Sequence, residues 1–356
     1  MKRANTIRLW FLGLVLTLAS LGCDDDTTVA GNKCDPVDAN LVRVLYFGRA
    51  TAIDDAPNVG MPSTNIRLPQ WYADGRVFVA SSIVAGGQDV SGVFDVEMNP
   101  VTYAFRSVAP IEFPHLIFGF DYENVTDEFL VTYSDAPGLM AVARAQRADS
   151  VLQIVDVVAD ETWMVGGARG TGDGTGAIVY GTNPSTQIRG FHRLTWSPSP
   201  ADSLIRAIDL IGADGAGFDV WNNQIVFGVT SGSFASARTA IIRLNTQTSD
   251  PPYVVTDLKG SFIAAAIDPS GSCVAVCRRI DGDPSNEPGD RLTIVSLEDG
   301  SHKDINSKVR PCTFAIADFV SWNPSGTALA LPGGGFTGEA AVYPRELWVR
   351  KVVSCP

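Results

Sequence analysis

The sequence predicts an all-β protein made of repeated four-stranded units. Three segments share one pattern: an apolar strand, a tight turn ending in glycine, and a second apolar strand. They are "RLPQWYADGRVFVASS" at 67–82, "IAAAIDPSGSCVAVCRR" at 263–279 and "DFVSWNPSGTALALPGG" at 318–334. Gly (34) and Pro (21) are abundant among the 356 residues, as expected for many short strands and turns. Sustained helical periodicity is absent beyond the N-terminal segment.

Three further units lie between the first two segments, at a spacing of about 50 residues. Their inner hairpins are "IFGFDYENVTDEFLVTYS", "VGGARGTGDGTGAIVYGTN" and "GFDVWNNQIVFGVTS". A second strand–turn–strand segment follows each hairpin, so each unit has four strands. Repeats of this length with four strands are typical of β-propellers. The sequence therefore predicts a six-bladed β-propeller.

The last unit supplies three strands before the chain reaches "RELWVRKVVSCP". The apolar segment "ANLVRVLYFGR" at 39–49 precedes the first unit and has no other assignment. We expect it to pair into the last blade as the outer strand, because this closes the ring and leaves no half-built sheet edge. The predicted propeller domain spans residues 39–356.

The motifs "AIDPSGSCVAV" and "SWNPSGTALAL" resemble the TolB-type, WD40-like repeats of six-bladed propellers. As architecture the resemblance covers residues 39–354, although the middle three units depart from the motif. It implies a periplasmic propeller that binds peptides or protein partners. The partner-binding residues of that family have no motif here that can be transferred.

The N-terminal segment has the form of a secretory signal, with a basic end and an apolar core too short for a comfortable membrane span. "SLGC" resembles the lipobox of bacterial lipoproteins, with Ser20 departing from the more frequent Leu. The resemblance implies cleavage after residues 1–22, lipidation of Cys23, and an acidic tether over 23–38. The expected location is the envelope of a Gram-negative-type bacterium, on the periplasmic face of either membrane or at the cell surface. The alternative is an ordinary secreted protein.

Five cysteines remain after Cys23, in a compartment that permits disulfides. Cys34 precedes the closing strand and Cys355 follows its expected partner, so we predict a Cys34–Cys355 bridge. Cys277 and Cys312 fall on the same rim of the predicted fold, which suggests a second bridge. Cys273 is too far along its strand from Cys277 to pair with it and is expected to be a small buried residue. The alternative is that all five are reduced.

Several classes of function lack support in the sequence. The formal net charge of −12 and the lack of a basic run argue against a nucleic-acid partner. His115, His192 and His302 have no second ligand at metal-binding spacing. The glycine-rich stretch 167–176 lies between two strands, which favours a hairpin over a phosphate loop. We predict no cofactor.

The acidic loop "RIDGDPSNEPGDR" at 279–291 groups oxygen ligands that could hold Ca²⁺. Its spacing matches no EF-hand loop, so a solvated turn is the expected structure. Two functions remain: a membrane-anchored binding or scaffold propeller for a protein or peptide, and a propeller hydrolase or lactonase with a metal in the central channel. The sequence favours the first, a protein that is not an enzyme, because no converging set of carboxylates and histidines is evident.

Overall fold

The computed structural model describes the propeller part of the chain with gaps. The described ranges are 35–36, 39–46, 64–85, 88–136, 139–196, 199–210, 217–232, 236–280, 289–305, 309–310, 313–316, 319–336, 346–352 and 355–356. The predicted signal, Cys23 with its predicted lipidation, Cys34, Cys312 and residues 281–288 of the acidic loop lie outside them.

The first two predicted units together form one eight-stranded sheet, and each unit is one half of it with antiparallel strands. The first unit contains β3 (Thr64–Ala73), β4 (Arg76–Ala85), β5 (Gln88–Met98) and β6 (Phe105–Phe113). The second contains β7 (Leu116–Glu123), β8 (Glu128–Ala136), β9 (Leu139–Ala148) and β10 (Val151–Ala159). The halves meet where β6 and β10 run parallel, with Val151 opposite Glu112. The sequence pattern does not predict this junction between two outer strands.

The next three units are separate four-stranded antiparallel sheets. The third contains β11 (Gly167–Gly170), β12 (Gly176–Thr182), β13 (Arg189–Thr195) and β14 (Ala201–Ala207). The fourth contains β15 (Asp219–Trp221), β16 (Gln224–Ser231), β17 (Arg238–Asn245) and β18 (Tyr253–Lys259). The fifth contains β19 (Ser261–Ile267), β20 (Cys273–Ile280), β21 (Gly289–Ser296) and β22 (His302–Ile305). The predicted hairpin over 167–176 is confirmed.

The sixth unit combines the two ends of the described chain. It contains β2 (Leu41–Tyr46), β24 (Thr313–Ile316), β25 (Ser321–Trp322), β26 (Ala328–Phe336) and β27 (Glu346–Lys351). As predicted, β2 pairs antiparallel with β27, with Leu41 opposite Arg350. The inner position holds two short strands instead of one, because β24 and β25 both pair with β26.

Buried apolar side chains of the described residues form six clusters between successive units. The closing strand contributes to two of them. Leu41 packs with side chains of the fifth unit, whereas Val44 and Leu45 pack with side chains of the first. A register shift between Arg43 and Leu45 allows this division. The cluster between the sixth and first units therefore depends on residues from both ends of the chain.

Part of the predicted tether is paired with the folded domain. Strand β1 (Asp35–Pro36) forms an antiparallel pair with β23 (Val309–Arg310). In the described part of the chain the remaining regular element is a 3₁₀ turn over Glu161–Trp163, capped by the Asp160 carboxylate. Within the described residues, no helix has the length and apolar character needed to cross a membrane.

Candidate functional site

Six inner strands, β3, β7, β11, β15, β19 and β25, are joined to one another by side chains. Each link connects one unit to the next, and the last returns to the first. From the first unit to the third, Gln70 Nε2 donates to the Phe120 oxygen (3.3 Å), and the Gly170 N–H donates to Asp121 Oδ2 (2.7 Å). From the third unit to the fifth, Arg169 Nε lies 3.7 Å from Asp219 Oδ1, and the Ile267 N–H donates to Asp219 Oδ2 (2.7 Å). From the fifth unit back to the first, Trp322 Nε1 donates to the Ala266 oxygen (2.9 Å), and the Trp71 N–H donates to Ser321 Oγ (3.1 Å).

A cavity of about 150 Å³ lies among these strands. Its lining combines indole, amide, hydroxyl and charged groups from several units. The polar and aromatic lining residues are Gln70, Trp71, Arg169, Asp219, Ser321 and Trp322. Residues far apart in sequence therefore surround one small space, which we take as the candidate binding site.

Arg169 is the buried cation of this site, with 6% of its side chain exposed. Its guanidinium lies over the rings of Phe319 (5.2 Å) and Phe218 (5.9 Å), where the negative ring faces favour a cation. Nη1 donates to the Ala168 carbonyl oxygen at 2.9 Å. Its ionic partner in the cavity lining is Asp219. These contacts fix the position of the charge.

Two carboxylates flank Arg169 on neighbouring inner strands. Burial raises the pKa of Asp219 to about 6, against the opposing influences of the Arg169 charge and the Ile267 N–H. Burial also raises the pKa of Asp121, again opposed by Arg169 and by the Gly170 N–H. The Arg169 guanidinium thus interacts electrostatically with two carboxylates, and the pKa of each remains above that of an exposed Asp.

The glycine-rich turn after β11 shapes the other side of Asp121. A Cβ at Gly170 would lie 3.3 Å from Glu123 Oε2, a tight contact, and 3.5 Å from Asp121 Oδ2, an ordinary one, so glycine eases the approach of the Glu123 carboxylate. Burial raises the pKa of Glu123, and the Val125 N–H donates to its Oε1 at 3.2 Å. Asp219 belongs to the lining of the cavity, whereas Asp121 reaches it through its neighbour Arg169.

Trp71 carries a buried indole N–H without a hydrogen-bond partner among the described residues. Its side chain is only 5% exposed. The corresponding N–H of Trp322 donates to the Ala266 carbonyl oxygen, so the two tryptophans of the cavity differ in this respect. An unpaired buried donor costs free energy, and the Trp71 side chain belongs to the apolar cluster between the first and sixth units.

The structure corrects one predicted disulfide. Cys355 pairs with Cys273, at a Cα–Cα distance of 6.0 Å, and not with Cys34. Asp35 and Pro36, directly after Cys34, pair with β23, so this segment does not continue the pairing of β2 with β27. At the other end, the Val352 N–H donates to the Thr327 oxygen, and the tail reaches the turn of the fifth unit. Cys355 Sγ lies 3.8 Å from the Ser272 oxygen there.

Cys273 is therefore both buried, as expected, and bonded. Cys277 is fully buried. Its predicted partner, Cys312, lies outside the described residues, so the Cys277–Cys312 bridge stays a prediction. The lipidation of Cys23 stays a prediction for the same reason.

The three histidines lie in different units. His115 packs against the rings of Phe113 and Tyr133, and His302 is exposed at the start of β22. His192 is buried, with ring nitrogens 3.3 Å from Asp202 Oδ1 and from the Ile188 oxygen. Among the residues with assigned positions, no three or more His, Cys, Asp or Glu side chains form a group that could hold a metal ion.

Sequence reasoning missed the polar residues of the cavity. A usable signal exists in two units, where a polar residue directly precedes the recurring tryptophan: Gln70 before Trp71, and Ser321 before Trp322. Arg169 had no such signal, since it stands in a glycine-rich stretch. Its importance follows from burial and from the approach of Asp219, which lies in another unit.

Comparisons with known proteins support the fold without naming a family. No protein-family model matches the chain, and no curated protein gives a significant match. A solved structure of a protein of unknown function from Bacteroides thetaiotaomicron has a TM-score of 0.57 at 8% identity, covering 87% of this chain and 75% of the other. At this identity the likeness concerns the fold alone.

Two weaker structural likenesses carry recognisable names. TolB from Acinetobacter baumannii has a TM-score of 0.47 at 13% identity, covering 69% of this chain and 56% of its own. A candidate 6-phosphogluconolactonase from Bacteroides uniformis has a TM-score of 0.43 at 14% identity, covering 78% of this chain and 79% of its own. The present chain thus spans little more than half of the TolB structure.

Proposed function

We propose that this chain is a closed six-bladed propeller that binds a protein or peptide partner through the face bearing the central cavity. The closed circuit of links among the inner strands supports the ring, as do the six apolar clusters between successive units. The observation that carries the binding function is the polar cavity lined by residues of several units.

Photo-crosslinking tests the binding face. Pro269 lines the cavity and is exposed, so a photoreactive benzoylphenylalanine at position 269 would lie beside a bound partner. Val157, 46% exposed on the outer strand β10, gives the matched control position. We expect a discrete adduct from position 269 in cells and none from position 157. Adducts from position 157 alone, or from neither position, would contradict the proposed binding face.

We further propose that the protein is held at the cell envelope by lipid on Cys23, since two or more acyl chains give stable anchoring. The Cys23→Ser variant should leave the membrane fraction or accumulate as an unprocessed precursor. Fractionation followed by intact-mass analysis measures both outcomes. Normal processing together with normal membrane sedimentation of the variant would refute the lipobox.

The competing function is a metal-dependent hydrolase or lactonase. It would require converging carboxylates and imidazoles at the channel, and the described residues contain no such group. Asp121 and Asp219 both interact with Arg169, whose positive charge opposes the binding of a metal cation there. We therefore favour binding over catalysis. Elemental analysis that finds one divalent ion per purified chain would reverse this choice.

A further inference from the structure

The hairpin turn 171–175, which joins β11 to β12, packs against the second unit. A Cβ on Gly174 would lie 2.6 Å from Thr126 Cγ2, so the two units approach closely at this point. Directly before the turn, the Gly170 N–H donates to Asp121 Oδ2 at 2.7 Å. The turn of the third unit is therefore in contact with the first hairpin of the second unit, β7 and β8.

Glu123 is the second carboxylate at this contact. The N–H groups of Gly172 and Gly174 both donate to it. These glycines have φ of 76° and 73°, which gives the turn a backbone shape that other residues rarely adopt. Backbone N–H groups that point to one place form an anion site. A turn of the third unit thus holds a carboxylate of the second unit.

The charges at this contact do not balance. Asp121 and Asp219 share the charge of Arg169, and Glu123 is repelled by Asp121. The other titratable groups beside the two carboxylates are Asp173 in the turn, which accepts hydrogen bonds from the Thr171 and Thr175 hydroxyls, and Tyr122, whose hydroxyl donates to Asp127 Oδ1. Among all these groups Arg169 is the one cation, so negative charge exceeds positive charge when every carboxyl group is ionised.

Closure of this contact is linked to protons. Burial raises the pKa of Asp121 and of Glu123 above their ordinary values of 3.8 and 4.5 in the closed contact. When the turn moves away, water reaches both carboxylates and each pKa returns toward its ordinary value. The closed contact therefore binds protons more tightly than the open one, so acid favours closure. This preference is lost as pH rises above about 4 and through the raised pKa values.

We propose that the turn 171–175 and the carboxylates of Asp121 and Glu123 form a proton-operated clasp between the second and third units. The clasp is closed when these carboxylates hold protons, and the turn is released at higher pH. Arg169, which interacts with Asp121, also lines the central cavity, so the clasp adjoins the proposed binding site. The clasp acts with or without a partner and therefore extends the proposed function without depending on it.

Hydrogen–deuterium exchange of the purified protein tests the clasp. The reporter is the peptide covering 170–176, with rates corrected for the intrinsic pH dependence of amide exchange. The reference is the turn 323–328, where Asn323 Oδ1 accepts the Ala328 N–H and an amide does not titrate. Between pH 4.5 and pH 7.5 we expect protection of 170–176 to fall about ten-fold or more, since each unit of pKa difference is a factor of ten. Protection of 323–328 should change much less.

Two variants assign the pH response to the clasp. In Asp121→Asn/Glu123→Gln the amide oxygens can still accept the N–H groups of the third unit, and neither side chain titrates. Protection of 170–176 should then stay high at both pH values. Asp127→Asn is the matched control, because it removes a carboxylate of the same hairpin whose hydrogen-bond donor is the Tyr122 hydroxyl. This control should keep the full pH response.

The Trp196 indole gives a second reporter, because its N–H donates to the Gly174 oxygen at 2.9 Å. Its ¹H–¹⁵N signal should move with pH in the wild type and stay in place in the double variant. Three results would each overturn the clasp: no pH dependence of 170–176 in the wild type, an equal fall in protection at 323–328, or an unchanged pH response in the double variant. The first two need only the wild type, so the test holds even for a variant that folds poorly.

Discussion

The fifth and sixth units share a turn motif but are assembled differently. In the fifth, Asp268 Oδ1 accepts the Cys273 N–H, and the Gly271 N–H donates to the Asp268 oxygen. In the sixth, Asn323 Oδ1 accepts the Ala328 N–H, with Gly326 in the place of Gly271. The two hairpins are thus built by the same local hydrogen bonds.

The outer strands of these units have different origins. The fifth unit takes all four strands from one continuous segment, β19 to β22, whereas the sixth takes β2 from the opposite end of the chain. Bringing distant segments together costs loop-closure entropy, which the contacts of β2 must offset. Identical local motifs can therefore belong to units whose stability has a local basis in one case and a long-range basis in the other.

Removal of β2 should have the largest effect. A variant that begins at residue 50 loses Leu41, Val44 and Leu45, each buried, and the Arg43–Glu346 ion pair. Burial of three such side chains contributes about 5 kcal/mol or more, and an open edge on β27 invites aggregation. We expect an unfolded or aggregated product by size-exclusion chromatography and circular dichroism.

A variant beginning at residue 34 is the control for this truncation, because it keeps both β1 and β2. It should fold as the longer chain does. A monomeric, cooperatively folding product from the variant that begins at residue 50 would show that the sixth unit is as self-sufficient as the fifth.

Loss of the Cys273–Cys355 disulfide ranks second, because this bond joins the tail of the sixth unit to the turn of the fifth. The two cysteines are 82 residues apart in sequence, and closure of such a loop stabilises by about 2–4 kcal/mol. Cys355→Ser should lower the free energy of unfolding by that amount in denaturant titrations. Non-reducing peptide mapping should recover Cys273 joined to Cys355, and a Cys34–Cys355 peptide would contradict the pairing.

Alanine substitutions at the two equivalent turn glycines should lower the free energy of unfolding by different amounts in the two units. Gly271 and Gly326 have φ of 73° and 67°, a conformation that costs alanine about 1 kcal/mol in either place. A Cβ at Gly271 would lie 2.4 Å from the Trp221 ring, whereas at Gly326 it would lie 3.6 Å from Pro269. Gly271→Ala should therefore cost an additional 1–2 kcal/mol or so through overpacking.

The measurement is the difference in unfolding free energy between the two alanine variants. Equal losses would mean that the Trp221 ring moves aside without cost. A larger loss for Gly326→Ala would contradict the packing described for the fifth-unit turn.

A further predicted effect, confined to one pH window, concerns the links to the inner strands of these units. The Asp219 carboxylate accepts the Ile267 N–H of the fifth unit, and Ser321 Oγ of the sixth unit accepts the Trp71 N–H. The pKa of Asp219 is about 6 in the fold against an ordinary 3.8, because of burial. Since the folded state binds the Asp219 proton more tightly than the unfolded state does, the free energy of unfolding falls as pH rises from about 4 to 6. Above pH 6 this contribution no longer changes.

Relative to Asp219→Asn, the wild type should lose about 1–3 kcal/mol of unfolding free energy across that pH window. The asparagine oxygen can still accept the Ile267 N–H, which makes the comparison matched. Ser321→Ala should instead lower stability by about 1 kcal/mol at every pH, since a hydroxyl does not titrate there. Parallel pH profiles of wild type and Asp219→Asn would refute the role given to this carboxyl group.

The sequence by itself determined the strands and turns of this protein. The Asp-Pro-Ser-Gly and Asn-Pro-Ser-Gly turns fix their hairpins through hydrogen bonds made within a few residues, so the pattern is readable locally. Four strands per unit and the pairing of residues 41–46 with β27 also follow, because an apolar strand without a partner can be recognised from its pattern alone.

Only the tertiary structure decided which distant residues meet. The link between Arg169 and Asp219, the unpaired N–H of Trp71 and the bond from Cys355 to Cys273 depend on how neighbouring units pack. A strand pattern specifies which side chains face inward, but a cavity arises from several strands at once. The residues that line the cavity are therefore determined by which side chains of different units come close together and are buried. A local sequence pattern does not record this.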